Sequence, residues 1–184
     1  MERVKKEWES DYEEVKSDLQ DLEAEEKRQE IYVFTVKGKE NITAYCRKLI
    51  EEANQYVMIS MWRQMYELLL PELEKCKNRG CDVLGISHDI DDPMEGIEKH
   101  FGGKTHNMPE NMRWFVLSSD GRKLLYGYSV EIEKDAFYTE DTSHIYLMED
   151  YILHDMVVNR FVEDEEDRGK MVQIMREIVS KVNR

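Results

Sequence analysis

The densest set of groups able to do chemistry is His88-Asp89-Ile90-Asp91-Asp92, an imidazole followed by three carboxylates and one apolar residue. It stands directly after residues 81–87 (CDVLGIS), an apolar run that reads as a buried strand. Open α/β sheets bind ligands just beyond the carboxyl ends of their parallel strands. Trp62 and Arg63 occupy the same place after the preceding strand-like run, residues 56–61 (YVMISM). An indole face beside a guanidinium suits a sugar or a phosphorylated metabolite, through stacking and charge-assisted hydrogen bonds. The plainer reading of the same residues is a polar loop beside an ordinary surface aromatic.

The remaining reactive side chains form no motif. Walker loops, GxGxxG, HExxH, GxSxG and CxxC are all missing from the sequence. Cys76 and Cys81 are five apart, one on a predicted helix and one at the entry to a strand, which fits packing better than metal ligation. The histidines at 88, 100, 106, 144 and 154 never pair at i, i+4. His154-Asp155 lies in a helical stretch, where neighbours point about 100° apart, so it reads as a half-buried histidine rather than a dyad. No metal, cofactor or catalytic residue is expected.

These residues need a scaffold, and the hydrophobic pattern supplies one. Residues 31–36 (IYVFTV) read as a strand, and residues 40–55 as an amphipathic helix with Ile42, Cys46, Leu49, Ile50 and Ala53 on one face. The strand at 56–61 is followed by a helix over 63–79 in which Pro71 makes a kink or a new start, and Gly80 caps it. The strand–helix–strand order predicts a right-handed crossover with parallel strands. A short helix is expected around 94–101. The runs 112–117 and 123–128 flank Ser118-Ser119-Asp120-Gly121, a strong hairpin signal. Phe137 and Tyr138 are expected to precede a strand over 144–148. Helices follow over 149–162 and 164–183, the last with Met171, Ile174, Met175, Ile178 and Val182 on one face.

Residues 2–30 differ in texture. They lack Gly and Pro, and their acids outnumber their bases two to one. Trp8, Tyr12, Val15, Leu19 and Leu22 follow a 4-3-4-3 spacing, a heptad seam. A stripe this thin needs a partner helix, in a second copy or on the chain's own body. The division expected is a dimerisation helix over 1–30 and an α/β domain over 31–184.

Composition narrows the partners. With 40 acidic against 26 basic residues the formal net charge is −14. A nucleic-acid reader carries a basic footprint to displace counterions from phosphates, and an anionic membrane attracts the same footprint. Neither partner is expected for this chain alone. Three cysteines without a framework, a charged N-terminus and no long apolar run point to a reducing compartment, the cytoplasm.

The order of segments resembles a known family. A charged helix runs into IYVFTVKGKENITAYCRKLIEEANQYVMISMW. A helix ending NRGCDVLGIS comes next, then WFVLSSDGRKLLYG, AFYTED and YILHDM. Over about residues 5–162 this looks like the region that follows the winged helix in TrmB-type transcriptional regulators. The resemblance implies a phospholipase D-like mixed sheet flanked by helices, behind a long dimer helix, sensing a small effector of the sugar or sugar phosphate class. It implies DNA contact only through a winged helix, which this chain lacks ahead of Met1, so either a fragment of a longer regulator or a regulator without its own reader is expected. The chain also departs from longer members in having no β-rich sugar-binding module. Phospholipase D enzymes carry His-x-Lys-x4-Asp. Counting back from Asp120, the histidine position holds Arg113 and the lysine position Phe115, which removes the nucleophile and the phosphate clamp.

The expected ligand site is therefore Trp62, Arg63 and His88, with Arg113, Asp120 and Tyr138 as further contributors. The alternatives are a protein-interaction scaffold without a ligand and a divergent phosphodiesterase. The seam predicts a homodimer in sedimentation, tightened by added salt as the flanking acids are screened. Removal of residues 1–28 weakens association if the seam is the main contact.

Overall fold

The computed structural model describes residues 33–102, 109–128, 135–162 and 165–182. The predicted dimer helix lies outside them, and the chain divides at that boundary into residues 1–32 and 33–184. Within the second unit the elements are β1 (Val33–Lys37), α1 (Lys39–Glu52), β2 (Tyr56–Trp62), α2 (Arg63–Asn78), β3 (Asp82–His88), β4 (Ile97–Lys99), β5 (Trp114–Ser119), β6 (Lys123–Tyr128), β7 (Asp135–Thr139), α3 (Thr142–Phe161) and α4 (Glu165–Val182). A 3-10 turn, Glu110–Met112, precedes β5.

Seven strands form one mixed sheet in the order β1-β7-β6-β5-β2-β3-β4. The crossover through α2 makes β2 and β3 parallel neighbours, as the sequence order requires, and β4 joins parallel to β3. β1 does not neighbour β2. It closes the far edge against β7, and every pair from β1 to β2 along the sheet is antiparallel.

Strand alternation separates two cores. Val57, Ile59 and Met61 of β2, with Phe115 and Leu117 of β5, face α1 and α2, which contribute Ile42, Leu49, Ile50, Met65, Leu69 and Leu73. Met58, Ile86, Val116 and Leu124 face the other way and are covered by Ile145, Ile152 and Met156 of α3. Each fully buried Leu or Ile stabilises the fold by about 1.5–3 kcal/mol. Helix α2 runs without a break through Pro71, and its end is turned by Gly80 at φ 91.

Two expected elements are different in the structure. The helix expected around 94–101 is strand β4. Gly96 adopts φ 98 and passes so close to β3 that a Cβ there would lie 2.1 Å from the Val83 carbonyl oxygen. Ile97 then pairs with Gly85, and a helical turn cannot make that approach. The strand expected over 144–148 is the first part of α3, while Phe137 and Tyr138 are themselves in β7. Asp141 decides the matter, because its carboxylate accepts the His144 backbone N–H at 2.8 Å and caps the helix. Ile145, Ile152 and Met156 then fall on one helical face.

Gly85 is the tightest point in the sheet. It has φ 140, and a Cβ there would lie 1.9 Å from the Ile59 carbonyl oxygen. Gly85→Ala is expected to lower unfolding stability by at least about 3 kcal/mol. A Cβ at Gly169 in α4 meets nothing. Gly169→Ala is therefore expected to leave denaturant unfolding unchanged or to stabilise by up to about 1 kcal/mol.

Candidate functional site

Register builds the site. Trp62, the last residue of β2, pairs with His88, the last residue of β3. On the other side the antiparallel register of β2 with β5 carries Trp62 level with Trp114, the first residue of β5. Alternation turns all three to the α3 side of the sheet, with Ser60 one pleat behind Trp62. The outcome is a packed stack. The Trp62 and His88 rings lie 5.1 Å apart at 21°, and Trp114 meets both edge-on, 5.8 Å from Trp62 and 5.3 Å from His88. His100 extends the stack, 4.6 Å from His88 on one side and 4.6 Å from Phe101 on the other.

Polar groups fix the imidazoles. Ser60 Oγ lies 3.3 Å from His88 Nε2. His100 Nδ1 accepts the Gly102 backbone N–H at 3.0 Å, so that nitrogen carries a lone pair and the proton belongs on Nε2. The segment is tied to the end of α3. Asn159 Oδ1 accepts the Phe101 N–H at 2.8 Å, and Glu98 receives Asn159 Nδ2 at 3.0 Å and Arg160 Nε at 2.7 Å.

Arg113 lies just ahead of β5, and its guanidinium carbon sits 5.1 Å from the centre of the Trp62 ring. A desolvated cation over an indole stabilises by about 2 kcal/mol. Arg113 Nε and Trp62 Nε1 are both buried and have no hydrogen-bond partner among the described residues. Two adjacent unmet donors are unusual in a protein interior, where buried N–H groups are nearly always paired.

Beside the stack, on the same side of the sheet, lies a groove of about 730 Å³. Trp114 is its shared wall. Tyr126, Tyr128 and Phe137 form its floor, and Leu147 and Tyr151 of α3 form its far side. Its volume is in the ordinary range for small-molecule sites, and its lining is mostly aromatic.

Of the six residues expected to form a ligand site, the structure gathers Trp62, His88 and Arg113. Arg63 begins α2, and its guanidinium is engaged by the Asp89 carbonyl, the Asp89 carboxylate at 3.7 Å and Glu67 at 3.3 Å. Tyr138 is on the opposite face, in the core lined by α1, with its ring 6.0 Å from Tyr45 and its hydroxyl on Glu140. Asp120 is at the other end of β5. It accepts backbone N–H groups from Asn54 at 3.0 Å, Gln55 at 2.8 Å and Tyr56 at 3.0 Å, so its carboxylate is spent on the backbone. Sequence reasoning missed Trp114 and His100. The period-2 pattern of MRWFVL already put Trp114 on the face of Val116, whereas His100 was hidden by the mistaken helix. Among the described residues no three His, Cys, Asp or Glu gather as they would around a metal ion.

The comparisons with known proteins bear on this geometry. Residues 32–156 match the family described as "Transcriptional regulator TrmB, EBD N-terminal subdomain". No curated protein matches the chain. Among solved structures it is similar to TrmBL2, described as an archaeal chromatin protein with a novel mode of DNA binding, at 16% identity and TM-score 0.48, over 83% of this chain and 64% of that one. It thus spans under two thirds of that protein's length. It is similar to NucT from Helicobacter pylori at 14% identity and TM-score 0.54, over 69% of this chain and 96% of that one. A third likeness is to Nuc from Salmonella typhimurium, a phospholipase D family member, at 13% identity and TM-score 0.47, over 69% and 93% of the two chains. At these identities the likeness to NucT concerns the fold.

The Asp120 carboxylate makes a prediction of its own. Burial works to raise its pKa, but the three backbone N–H donors outweigh it and hold the group below the usual carboxylate range. Its contribution is present above the unfolded-state pKa of about 3.9 and is lost as pH falls through the lower folded value. Asp120→Ala is therefore expected to lower unfolding stability at pH 7, and its difference from wild type to shrink as denaturation is measured at progressively lower pH. A difference that stays constant into the acid range contradicts this role.

Proposed function

Because the chain belongs to the TrmB family of transcriptional regulators, matched over the N-terminal subdomain of the effector-binding domain, we propose that it senses a small polar metabolite at the Trp62–His88–Arg113 end of the sheet. The observation that carries this reading is the pair of unmet buried donors, Trp62 Nε1 and Arg113 Nε, beside a groove that shares Trp114 with their stack. An acceptor oxygen of a carboxylate, phosphate or sugar satisfies the Arg113 donor from the edge of the stack, and reaches Trp62 Nε1 only where the stack gives way. The aromatic groove takes the C–H face of a sugar ring or the apolar body of an organic acid. The sugar and sugar phosphate class is the first to test.

Catalysis has little support at this site. The position of the phospholipase D histidine holds Arg113, and the lysine position holds Phe115, which is fully buried between β5 and the helices α1 and α2. A lysine there would bring an ammonium into an apolar core. DNA contact by these residues is disfavoured by the −14 charge. No helix among the described residues is long and apolar enough to cross a membrane.

One observation favours the second reading, an interaction domain without a ligand. The Trp62, His88, His100 and Trp114 rings fill the space between them, with Trp62 and His88 almost fully buried. A ligand must therefore bind against the Arg113 and Trp114 edge of the stack rather than within it.

A thermal-shift screen of sugars, sugar phosphates and organic acids separates the two. A true effector at 100 times its Kd raises stability by about 2.7 kcal/mol. Arg113→Ala and Trp114→Ala are expected to weaken it at least tenfold, and Arg113→Lys to recover only part, since the planar fork is lost. A hit unaffected by Arg113→Ala and Trp114→Ala moves the site elsewhere, and silence across all three classes favours the interaction domain. The isolated chain is expected to give no specific mobility shift with duplex DNA at physiological salt.

A further inference from the structure

The three ligand classes named for the screen make different demands on the groove beside the stack. Its floor is one patch of sheet surface. Trp114 is paired with Tyr128 and Val116 with Tyr126 across β5 and β6, and Tyr126 is paired with Phe137 across β6 and β7. Residues directly opposite on neighbouring strands point to the same face, so these aromatic rings stand side by side, with Tyr126 and Phe137 5.6 Å apart. Helix α3 closes the far side with Leu147, Met148 and Tyr151. The backbone groups beneath the floor are spent on the ladders that flank β6. Side-chain polar atoms reach the groove as phenol hydroxyls, and that of Tyr151 is already engaged by the Asp155 carboxylate. No charged side chain among the described residues lines it.

Charge stands at one end of the groove. Met112 and Trp114 both line it, and Arg113 between them lays its guanidinium on the Trp62 ring, which meets Trp114 edge-on at 5.8 Å. The nearest carboxylate, Glu110, is 3.9 Å from Arg113 Nη1 on a side chain that is 68% exposed. Such a surface pair is weak and is readily exchanged. Arg113 Nε has no partner among the described residues. We propose that the effector of this site is an amphipathic monocarboxylate, with an aryl body on the Trp114–Tyr126–Phe137 floor and its one carboxylate at Arg113. This inference rests on the sensing role given above and narrows it, away from sugars and sugar phosphates.

Three physical demands select this class. A sugar carries several hydroxyls, and each gives up its water on entering a groove that offers few partners in return. An aryl body gives up only apolar hydration, and it finds rings at the spacing that offset and edge-to-face packing prefer. The anionic end is limited as well. A chain of net charge −14 repels a phosphate dianion more than a single carboxylate, and a planar carboxylate matches the fork of a guanidinium. A neutral ligand would leave that guanidinium unused. The apolar surface is available to such a ligand, since Met112, Tyr128, Leu147 and Tyr151 around the groove are all more than 40% exposed.

The test is titration calorimetry on the full chain with four probes: 3-phenylpropionate, its neutral amide, propionate and glucose 6-phosphate. The acid is expected to bind at least tenfold more tightly than each of the other three, with a negative heat-capacity change from the buried aryl group. Arg113→Gln is expected to weaken the acid at least tenfold and to leave the amide unchanged. Leu147 is 60% exposed on the groove side of α3, so Leu147→Glu is expected to keep the wild-type circular dichroism spectrum. It sets a carboxylate against the ligand and is expected to weaken the acid at least tenfold, which keeps the test valid even where Arg113→Gln fails to fold. An amide that binds as tightly as the acid, or an acid affinity that Leu147→Glu leaves unchanged, overturns the inference. Glucose 6-phosphate bound more tightly than the acid, and lost in Arg113→Gln, overturns it while the sensing role stands. Silence from all four probes overturns it and counts against sensing at this site as well.

Discussion

The Asp120 carboxylate is the fixed point of the sheet. It lies at positive φ in the β5–β6 turn, and Arg122 donates to the Ser119 carbonyl at 3.0 Å to close that turn. From there it accepts three successive backbone N–H groups at the entry to β2. One side chain thus joins a hairpin to the central parallel strand and sets the register between β5 and β2. Once Val57 is opposite Ser119, Met61 must be opposite Phe115 and Trp62 must arrive level with Trp114. A slip of one residue would turn Trp62 to the other face and exchange the two cores. The aromatic stack at one end of the sheet depends on a carboxylate at the opposite end.

A second polar knot holds the same register from the α3 side. Glu149 accepts the Ser118 hydroxyl at 2.6 Å and the Tyr56 hydroxyl at 3.0 Å. Burial first, then the Glu149 charge, pushes the Tyr56 hydroxyl up to about 12, so it remains a donor throughout the physiological range. Buried hydroxyls that would otherwise lack partners are satisfied in this way, and α3 is tied to both β2 and β5. At its far end Asn159 and Arg160 bind the segment that carries Glu98, Phe101 and His100. Helix α3 is therefore tied to the sheet near its middle by Glu149 and Ile152 and at its C-terminal end by Asn159 and Arg160.

Much of this was legible in the sequence because the signals were local. The Asp-Gly turn, the strand at 56–61, the crossover through α2 and the amphipathic face of α1 each depend on periodicity or on one residue's preferred dihedrals. What was not legible depends on distant partners. The segment Met94, Ile97, His100 and Phe101 has helical spacing, and only the nearness of Val83 and Gly85 makes Ile97–Lys99 a strand. His144-Ile-Tyr-Leu-Met has strand propensity, but the cap from Asp141 and the need to cover Met58 and Val116 make it helix. At the candidate site, Trp62 and His88 come together because each ends a strand of a parallel pair. Arg63 and Tyr138 were not gathered with them, since one residue along a strand, or one helix start, changes the face.

The placement of α3 bears on how a sensing domain of this kind could transmit a signal. Its Leu147, Met148 and Tyr151 line the groove, its Ile145, Ile152 and Met156 pack on the sheet, and its Tyr146, Leu153, Val157 and Phe161 face outward. A body inserted against Tyr151 therefore presses on the same helix that Glu149 and Ile152 tie to the sheet. Useful allosteric coupling is about 1–3 kcal/mol. The gain of one well-packed aromatic contact in the groove, at about 0.5–1.5 kcal/mol beyond its area, reaches the lower part of that range. An effector in the groove then needs no long pathway to act on α3, because the wall of the groove and the cover of the sheet are two sides of one helix.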